Sequence, residues 1–304
     1  MSGEGFPDFF VVGAAKAGTT SLYRYLGQHD GVFLPVPKEP GYFLFEGRPP
    51  AYAGPWDREV IIPTLVWETQ AYRALFAAAR PDQRRGDCSV AYLATPGVAG
   101  RIRARRPDAR IVVVLRDPAE RAFSHWRMTR ANGHEDLDLA AALRAEPDRL
   151  AQGWSYLYAY RTMGFYHRQV SEYLEAFGPS QVLVLWYEDL VEDAAGTVRR
   201  VLEFLGLDTS VPVDTSERFN VGSSVPRSAT AEALARRGSP ARRAARRVVP
   251  RAARRRVLAV ADRVLRREPA LDPAIRRELV EGYRDDLEAL ERLTGRDLSA
   301  WRTA

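Results

Sequence analysis

The sequence predicts an α/β protein built on a mostly parallel β-sheet flanked by helices. Short apolar runs rich in β-branched residues alternate with helical stretches of ten or more residues, the pattern of βαβ units. One run, Ile111 to Leu115, is continuously apolar, as a central strand covered on both faces requires. Phe9 to Leu26 reads as buried strand, small-residue loop and helix, a layout that holds an anion at a helix N-terminus.

In chain order, Phe9 to Val12 form the first strand, Gly13 to Gly18 a loop with one lysine, and Thr19, Thr20 and Ser21 open the first helix. His29 to Gly31 turn the chain into a short strand, Val32 to Leu34. Pro35, Pro37 and Pro40 exclude regular helix and hold Lys38 and Glu39 on a stiff extended connection, a good place for a reacting group. Gly47 to Thr64 reads as loop and Glu68 to Ala79 as helix. Gly86 to Leu93, GDCSVAYL, is a short strand or extended loop, and a helix opened by Pro96 runs to about Arg106.

Beyond the Ile111 to Leu115 strand, Arg116 stands where open α/β sheets bind ligands. Pro118 opens a helix at its favoured first position, with Ser124 two turns in. Helices are expected over Asp136 to Arg149 and Tyr158 to Phe177, then a strand over Gln181 to Trp186 with Tyr187 at its end, and a helix to about Leu205. A loop from Gly206 to Ser228 precedes arginine-rich helices broken at Pro240 and Pro250, and a last helix spans Pro273 to Leu293. The domain reading is an α/β core over 1–235 and a helical C-terminal part over 236–304, packed on the same domain or standing as an appendage.

The 304 residues carry a formal charge of +6, but the charge is local. Arg236 to Arg267 hold thirteen arginines against the single acid Asp262, so that segment carries +12 and the remaining chain −6. A global argument for nucleic-acid binding therefore fails. Of 45 basic residues only Lys16 and Lys38 are lysines, which suggests that both positions want a compact ammonium rather than a planar guanidinium. One cysteine, Cys88, excludes an internal disulfide framework. No apolar stretch approaches the ~18 residues of a membrane span, and the N-terminus lacks leader character, so a soluble cytoplasmic protein is expected.

The loop spacing is not that of a nucleoside-triphosphatase. Gly13 and Gly18 have the Walker separation, but Thr19 stands where the lysine belongs, and Lys16 lies two residues before the second glycine. The order K-x-G-T-T, together with KEPGYF, LRDPAERAFSHW and WYEDL, resembles the family of sulfotransferases that use 3′-phosphoadenosine 5′-phosphosulfate (PAPS), over roughly Phe9 to Ser228. The likeness is nearest to bacterial members and to the carbohydrate-type branch.

The resemblance implies a P-loop-like α/β fold and a donor site. Lys16, Ala17, Gly18, Thr19, Thr20 and Ser21 would cradle the 5′-phosphosulfate, Arg116 and Ser124 would bind the 3′-phosphate, and Tyr187 would lie by the adenine. Glu39 matches the general base of carbohydrate-type members, with Lys16 following charge onto the leaving oxygen. PAP, the desulfated nucleotide, would be the product, and the acceptor a small molecule or glycan. Sulfuryl transfer needs an aligned acceptor, a base and positive charge at the leaving oxygen, so no metal is expected.

Several features depart from the family pattern. Cys88 stands where carbohydrate-type members often carry a lysine, leaving Lys38 as the possible replacement. The late arginine-and-glycine loop is not recognisable; Arg227, with Arg218 behind it, is the best substitute. His125 adjoins Ser124 but faces about 100° away on the helix and is expected to pack or sit at a rim; His29, His134 and His167 suggest no metal set. Acceptor-lining candidates are Gly41 to Leu65, with Tyr42, Phe43, Phe45, Tyr52 and Trp56, and Trp154 to Tyr160. The alternatives are a P-loop kinase or nucleotide hydrolase, and a nucleic-acid or membrane-surface binder using the arginine-rich segment. A solvated face of that segment, paired with acids such as Glu278, Asp285, Asp286 and Glu288, is the plainer reading; neither nucleic-acid binding nor a membrane span is expected.

Overall fold

The computed structural model describes residues 5–217 and 269–303, with the backbone of 225–226 and 266–267. Five strands form one parallel sheet: β1 (Phe9–Gly13), β2 (Val32–Phe33), β3 (Arg84–Asp87), β4 (Arg110–Leu115) and β5 (Val182–Trp186). Their order is β2-β3-β1-β4-β5. All of β1 and, from Ile111 onward, all of β4 are buried, which is why these runs lack polar alternation. After β1 the chain builds β2 and β3 on one side of it and then crosses to β4 and β5 on the other. The crevice beyond the carboxyl ends of β1 and β4 is thus the switch point at which such sheets bind ligands. A separate antiparallel pair joins β6 (Val225–Pro226) to β7 (Arg266–Arg267).

The helices are α1 (Thr19–Leu26), α2 (Tyr42–Phe45), α3 (Thr69–Ala74), α4 (Val98–Arg105), α5 (Pro118–Ala131), α6 (Leu139–Ala151), α7 (Tyr166–Phe177), α8 (Tyr187–Glu192), α9 (Ala194–Leu205) and α10 (Pro273–Thr294). Helix α5 begins as its sequence predicts. Pro118 is its first residue, and the Asp117 carboxylate accepts the N–H groups of Ala119 and Glu120 at 2.8 and 3.1 Å.

Helix α7 corrects the expected Tyr158 to Phe177 helix. Residues Tyr156–Tyr158 and Thr162–Gly164 form separate 3₁₀ turns, and α7 starts only at Tyr166. The start is fixed from outside: Asp286 of α10 accepts the N–H of Tyr166 at 2.7 Å and of His167 at 3.2 Å. Gly164 lies so close to Tyr283 that a Cβ there would sit 2.6 Å from its hydroxyl oxygen. The expected helix at Glu68 to Ala79 shortens to α3, and the Gly47 to Thr64 loop contains a π-helical turn at Asp57–Ile61 and a 3₁₀ turn at Ile62–Thr64.

Helix α10 adds Leu279, Val280, Tyr283, Leu287 and Leu290 to the hydrophobic core that also holds the sheet. Arg276 donates to Asp117 at 2.8 Å and Arg296 to Asp189 at 2.7 Å, so α10 and the segment after it tie to the ends of β4 and β5. Glu278 pairs with Arg161, and Asp286 caps α7. Residues 236–265 lie outside the described residues. No helix among those described is long and apolar enough to cross a membrane.

Candidate active site

A cavity of about 720 Å³ opens beyond the carboxyl ends of β1, β4 and β5. Its lining includes Lys16, Gly18, Thr19, Thr20 and Ser21 from the first loop and α1, Glu39 from the proline-rich connection, Arg116 and Ser124 from β4–α5, and Tyr187 from the end of β5. Four stretches far apart in sequence therefore converge. Ala17 does not line it: its side chain is fully buried and its N–H donates to the Ala14 carbonyl at 3.2 Å. Arg227 and Arg218 lie outside the described residues.

The geometry of the first loop favours an anion. Gly18, at φ +84°, caps α1 without offering a side-chain acceptor. A Cβ at Gly18 would lie 2.8 Å from Leu190 Cδ2 and 3.1 Å from Tyr187 Cδ2, so Tyr187 packs directly on the loop. The Arg116 guanidinium stands 4.6 Å from the Tyr187 ring centroid and donates to the Lys16 carbonyl at 3.1 Å. The Lys16 ammonium has a methionine thioether, Met128 Sδ, at 3.5 Å. Burial first, then the charges of Arg116, Arg127 and Lys38, lower its pKa to about 8, with Glu39 opposing them. Such a buried cluster of cations is stabilised by an incoming anion.

Glu39 pairs with Lys38 through a short hydrogen bond. Lys16 (φ 69°), Glu39 (φ 66°) and Glu46 (φ 42°) are the left-handed non-glycine residues among those described. Each such residue costs on the order of 1–3 kcal/mol and persists only where surrounding contacts hold it. The segment that follows Glu39 is anchored through Asp87, at the end of β3 and 0 % exposed. Asp87 accepts the hydroxyls of Ser89 and Tyr72 at 2.6 Å each and that of Tyr92 at 2.9 Å. Ser89 in turn accepts the Gly41 N–H at 3.1 Å, and Tyr92 the Phe43 N–H at 3.2 Å. Burial raises the Asp87 pKa to about 6 against these three hydroxyl bonds. Sequence reasoning missed this network; D-x-S-x-x-Y within GDCSVAYL was its only trace. Cys88 is fully buried and its thiol is pushed well up by burial, so it takes no part.

Beyond Lys16 and Glu39 the lining changes character. Val60, Ile61, Thr64, Val90, Tyr156 and Leu157 contribute, with Met128, Asn132 and His134 from α5 and the turn after it. Asp57 joins the two irregular segments, accepting the N–H of Gly54 at 2.8 Å and of Ser155 at 2.9 Å, and the Ser155 hydroxyl at 2.5 Å. Of the aromatic residues expected here, Tyr42 and Phe43 instead pack in the core with Phe6 and Tyr72, while Trp56 stands 5.3 Å from the His134 ring at the rim. Tyr156 and Leu157, from the second expected segment, do line the cavity. His125 both packs, against Tyr160, and lines the cavity; burial holds it neutral, with Nδ1 unpartnered.

Comparison with known proteins agrees with this architecture. The model of the sulfotransferase family matches residues 69–211. A solved sulfotransferase structure from Alicyclobacillus acidocaldarius superposes with a TM-score of 0.77 at 32% identity, covering 98% of this chain and 99% of that one. Human heparan sulfate glucosamine 3-O-sulfotransferase 6 is 30% identical over 223 residues, covering 73% of this chain and 58% of that protein. Mouse bifunctional heparan sulfate N-deacetylase/N-sulfotransferase 1 is 26% identical over 233 residues, covering 71% and 24%. The chain thus spans little more than half the length of the first of these curated relatives and a quarter of the second. The near-complete match to the bacterial structure, on a parallel sheet whose first loop and fourth strand open one cavity, makes this chain a member of the sulfotransferase family.

Proposed function

We propose that the protein transfers a sulfuryl group from PAPS to the hydroxyl, or less readily the amine, of a small-molecule or glycosidic acceptor, with Glu39 as general base. The observation that carries this reading is the convergence of Lys16, Glu39, Arg116 and Ser124 on one cavity. PAPS, when bound, supplies an activated sulfuryl group on a phosphate leaving group. The residues present suit it: the Gly18 to Ser21 turn and Lys16 would hold the phosphosulfate end, and Arg116 with Ser124 the 3′-phosphate. Tyr187, already packed on the loop, would flank the adenine, and Arg227 would complete the 3′-phosphate site.

In this assignment Glu39 takes the acceptor proton and Lys16 neutralises charge at the oxygen that leaves with phosphate. The acceptor must enter opposite that oxygen, so displacement is in line. Lys38, hydrogen-bonded to Glu39, orients the carboxylate. Because sulfate carries one charge fewer than phosphate, lysine and backbone amides suffice, and turnover is expected to survive chelator. The discriminating measurement is thermal stability with ligands. PAP should raise the melting temperature strongly and ATP with magnesium should not; the reverse would replace this reading by a P-loop kinase or nucleotide hydrolase.

A further inference from the structure

We infer that the acceptor is an uncharged hydroxyl compound with an apolar ring face, and not a sulfated or otherwise polyanionic glycan. The inference rests on the sulfotransferase reading above and names the substrate class of the same site.

Helix α5 gives the cavity an axis. Ser124, Met128 and Asn132 all line it at four-residue spacing, Asn132 being the C-cap residue, so they form one stripe of the helix. At the rise of an α-helix, Ser124 and Asn132 lie about 12 Å apart along the axis. Lys16 meets this stripe at its middle, through Met128, and Arg116 and Tyr187 lie at the Ser124 side. The Asn132 end lies away from these donor groups and is the end assigned to the acceptor. Contacts place the remaining wall there: Trp56 meets His134, the Trp56–Asp57 segment is tied to Ser155 beside Tyr156, and Val90 shares a small apolar cluster with Tyr156.

That wall is made of Val60, Ile61, Val90, Met128, Tyr156 and Leu157. Its polar members, Thr64, Asn132 and His134, are uncharged groups; burial lowers the pKa of the His134 imidazole and favours its neutral form. Among the described residues, the cations lining the cavity are Lys16, Lys38 and Arg116, and these belong to the donor and the reacting centre. Sulfated glycans are recognised through guanidinium and ammonium groups along the binding cleft. Among the described residues, a sulfate at this wall would meet mainly apolar surface and would find no cation there, only neutral Thr64, Asn132 and His134 in place of its water. A ring with an apolar face gains by the same burial, and neutral Asn132 and Thr64 can orient its hydroxyl.

The test uses the full chain with PAPS, comparing 2-naphthol with an N-sulfated heparan-type hexasaccharide, and PAP affinity by calorimetry. The inference expects 2-naphthol to be sulfated with kcat/KM on the order of 100-fold above the hexasaccharide. It also expects Val60→Arg, at a partly exposed wall position, to raise the 2-naphthol KM about tenfold or more while leaving the PAP Kd within about twofold. Thr64→Arg, at an exposed position of the wall, is the second variant should Val60→Arg not fold. Preference for the hexasaccharide overturns the inference, as does an unchanged 2-naphthol KM in the folded variants. Failure of both acceptors in a protein that binds PAP overturns it too. Absence of PAP binding is a different failure: it removes the donor reading beneath the inference.

Discussion

The two ends of the cavity are built in different ways. In the proposed assignment the donor end comes from residues that follow strands: Lys16 and Gly18 after β1, Arg116 after β4, Tyr187 after β5. The proposed acceptor end is walled largely by irregular backbone, the turns at Asp57–Ile61, Ile62–Thr64 and Tyr156–Tyr158, pinned together by Asp57. The sheet fixes where charge is offered, while the turns set only the shape and polarity of what faces it. Changes in the turns can therefore alter the acceptor without disturbing the donor cradle.

Substitutions at the centre and at each end should separate these roles. Glu39→Gln should have the largest effect, lowering kcat by roughly 10²–10⁴ while the PAP-induced thermal shift is kept; retained turnover removes Glu39 as base. Lys16→Met should lower kcat/KM by about 10²–10³. Its pH signature is more specific. In the proposed assignment the protonated lysine binds the anion, and burial with the neighbouring cations lowers its pKa to about 8, so PAP affinity should fall as pH rises above about 8. Calorimetry should find that dependence gone in Lys16→Met; its persistence would place the titrating group elsewhere. Arg116→Met should weaken PAP roughly 10–100-fold yet leave AMP, which lacks the 3′-phosphate, nearly unaffected. Equal losses for both nucleotides would assign Arg116 to another part of the donor.

Asp87→Asn probes the connection between the ends and should be mildest in turnover. Asp87 has its pKa raised from 3.8 to about 6, so the folded state keeps its proton to higher pH than the unfolded chain. Asp87's own contribution to stability should thus be fully present below about pH 4 and be lost as pH rises to about 6, by an amount on the order of 3 kcal/mol. The asparagine variant should flatten that slope in melts at pH 4, 5 and 6. Its kcat should also fall with little change in the KM for PAPS, because the Gly41 and Phe43 amides behind Glu39 lose their anchors. A slope unchanged by the substitution would show that another group titrates.

The same contrast explains what was legible in the sequence. At the donor end the signals were local: a buried strand, a displaced lysine, a glycine at a helix start, a proline at the next one. Lys16, Arg116, Ser124 and Tyr187 follow from chain order and the switch-point rule, and all line the cavity. Ala17 shows the limit of a motif, since one of its residues turns inward to close the loop. The acceptor end left no such trace. The Tyr158 to Phe177 pattern has helical periodicity, but Asp286 and Tyr283, more than a hundred residues away, decide where α7 begins. Tyr42 and Phe43 look like pocket aromatics by composition and are core because Tyr72 stacks at 4.3 Å from Tyr42. The π-helical turn at Asp57 depends on Ser155, a partner that spacing cannot name.

The ties from α10 set an order in time. A growing chain that has emerged as far as Leu205 already contains all five strands of the sheet and Lys16, Glu39, Arg116, Ser124 and Tyr187. It still lacks Arg276, which grips the aspartate beside Arg116, and Arg296, which grips Asp189 two residues beyond Tyr187. A chain truncated at Leu205 would therefore carry the motifs of the site without the two ties that hold the exits of β4 and β5.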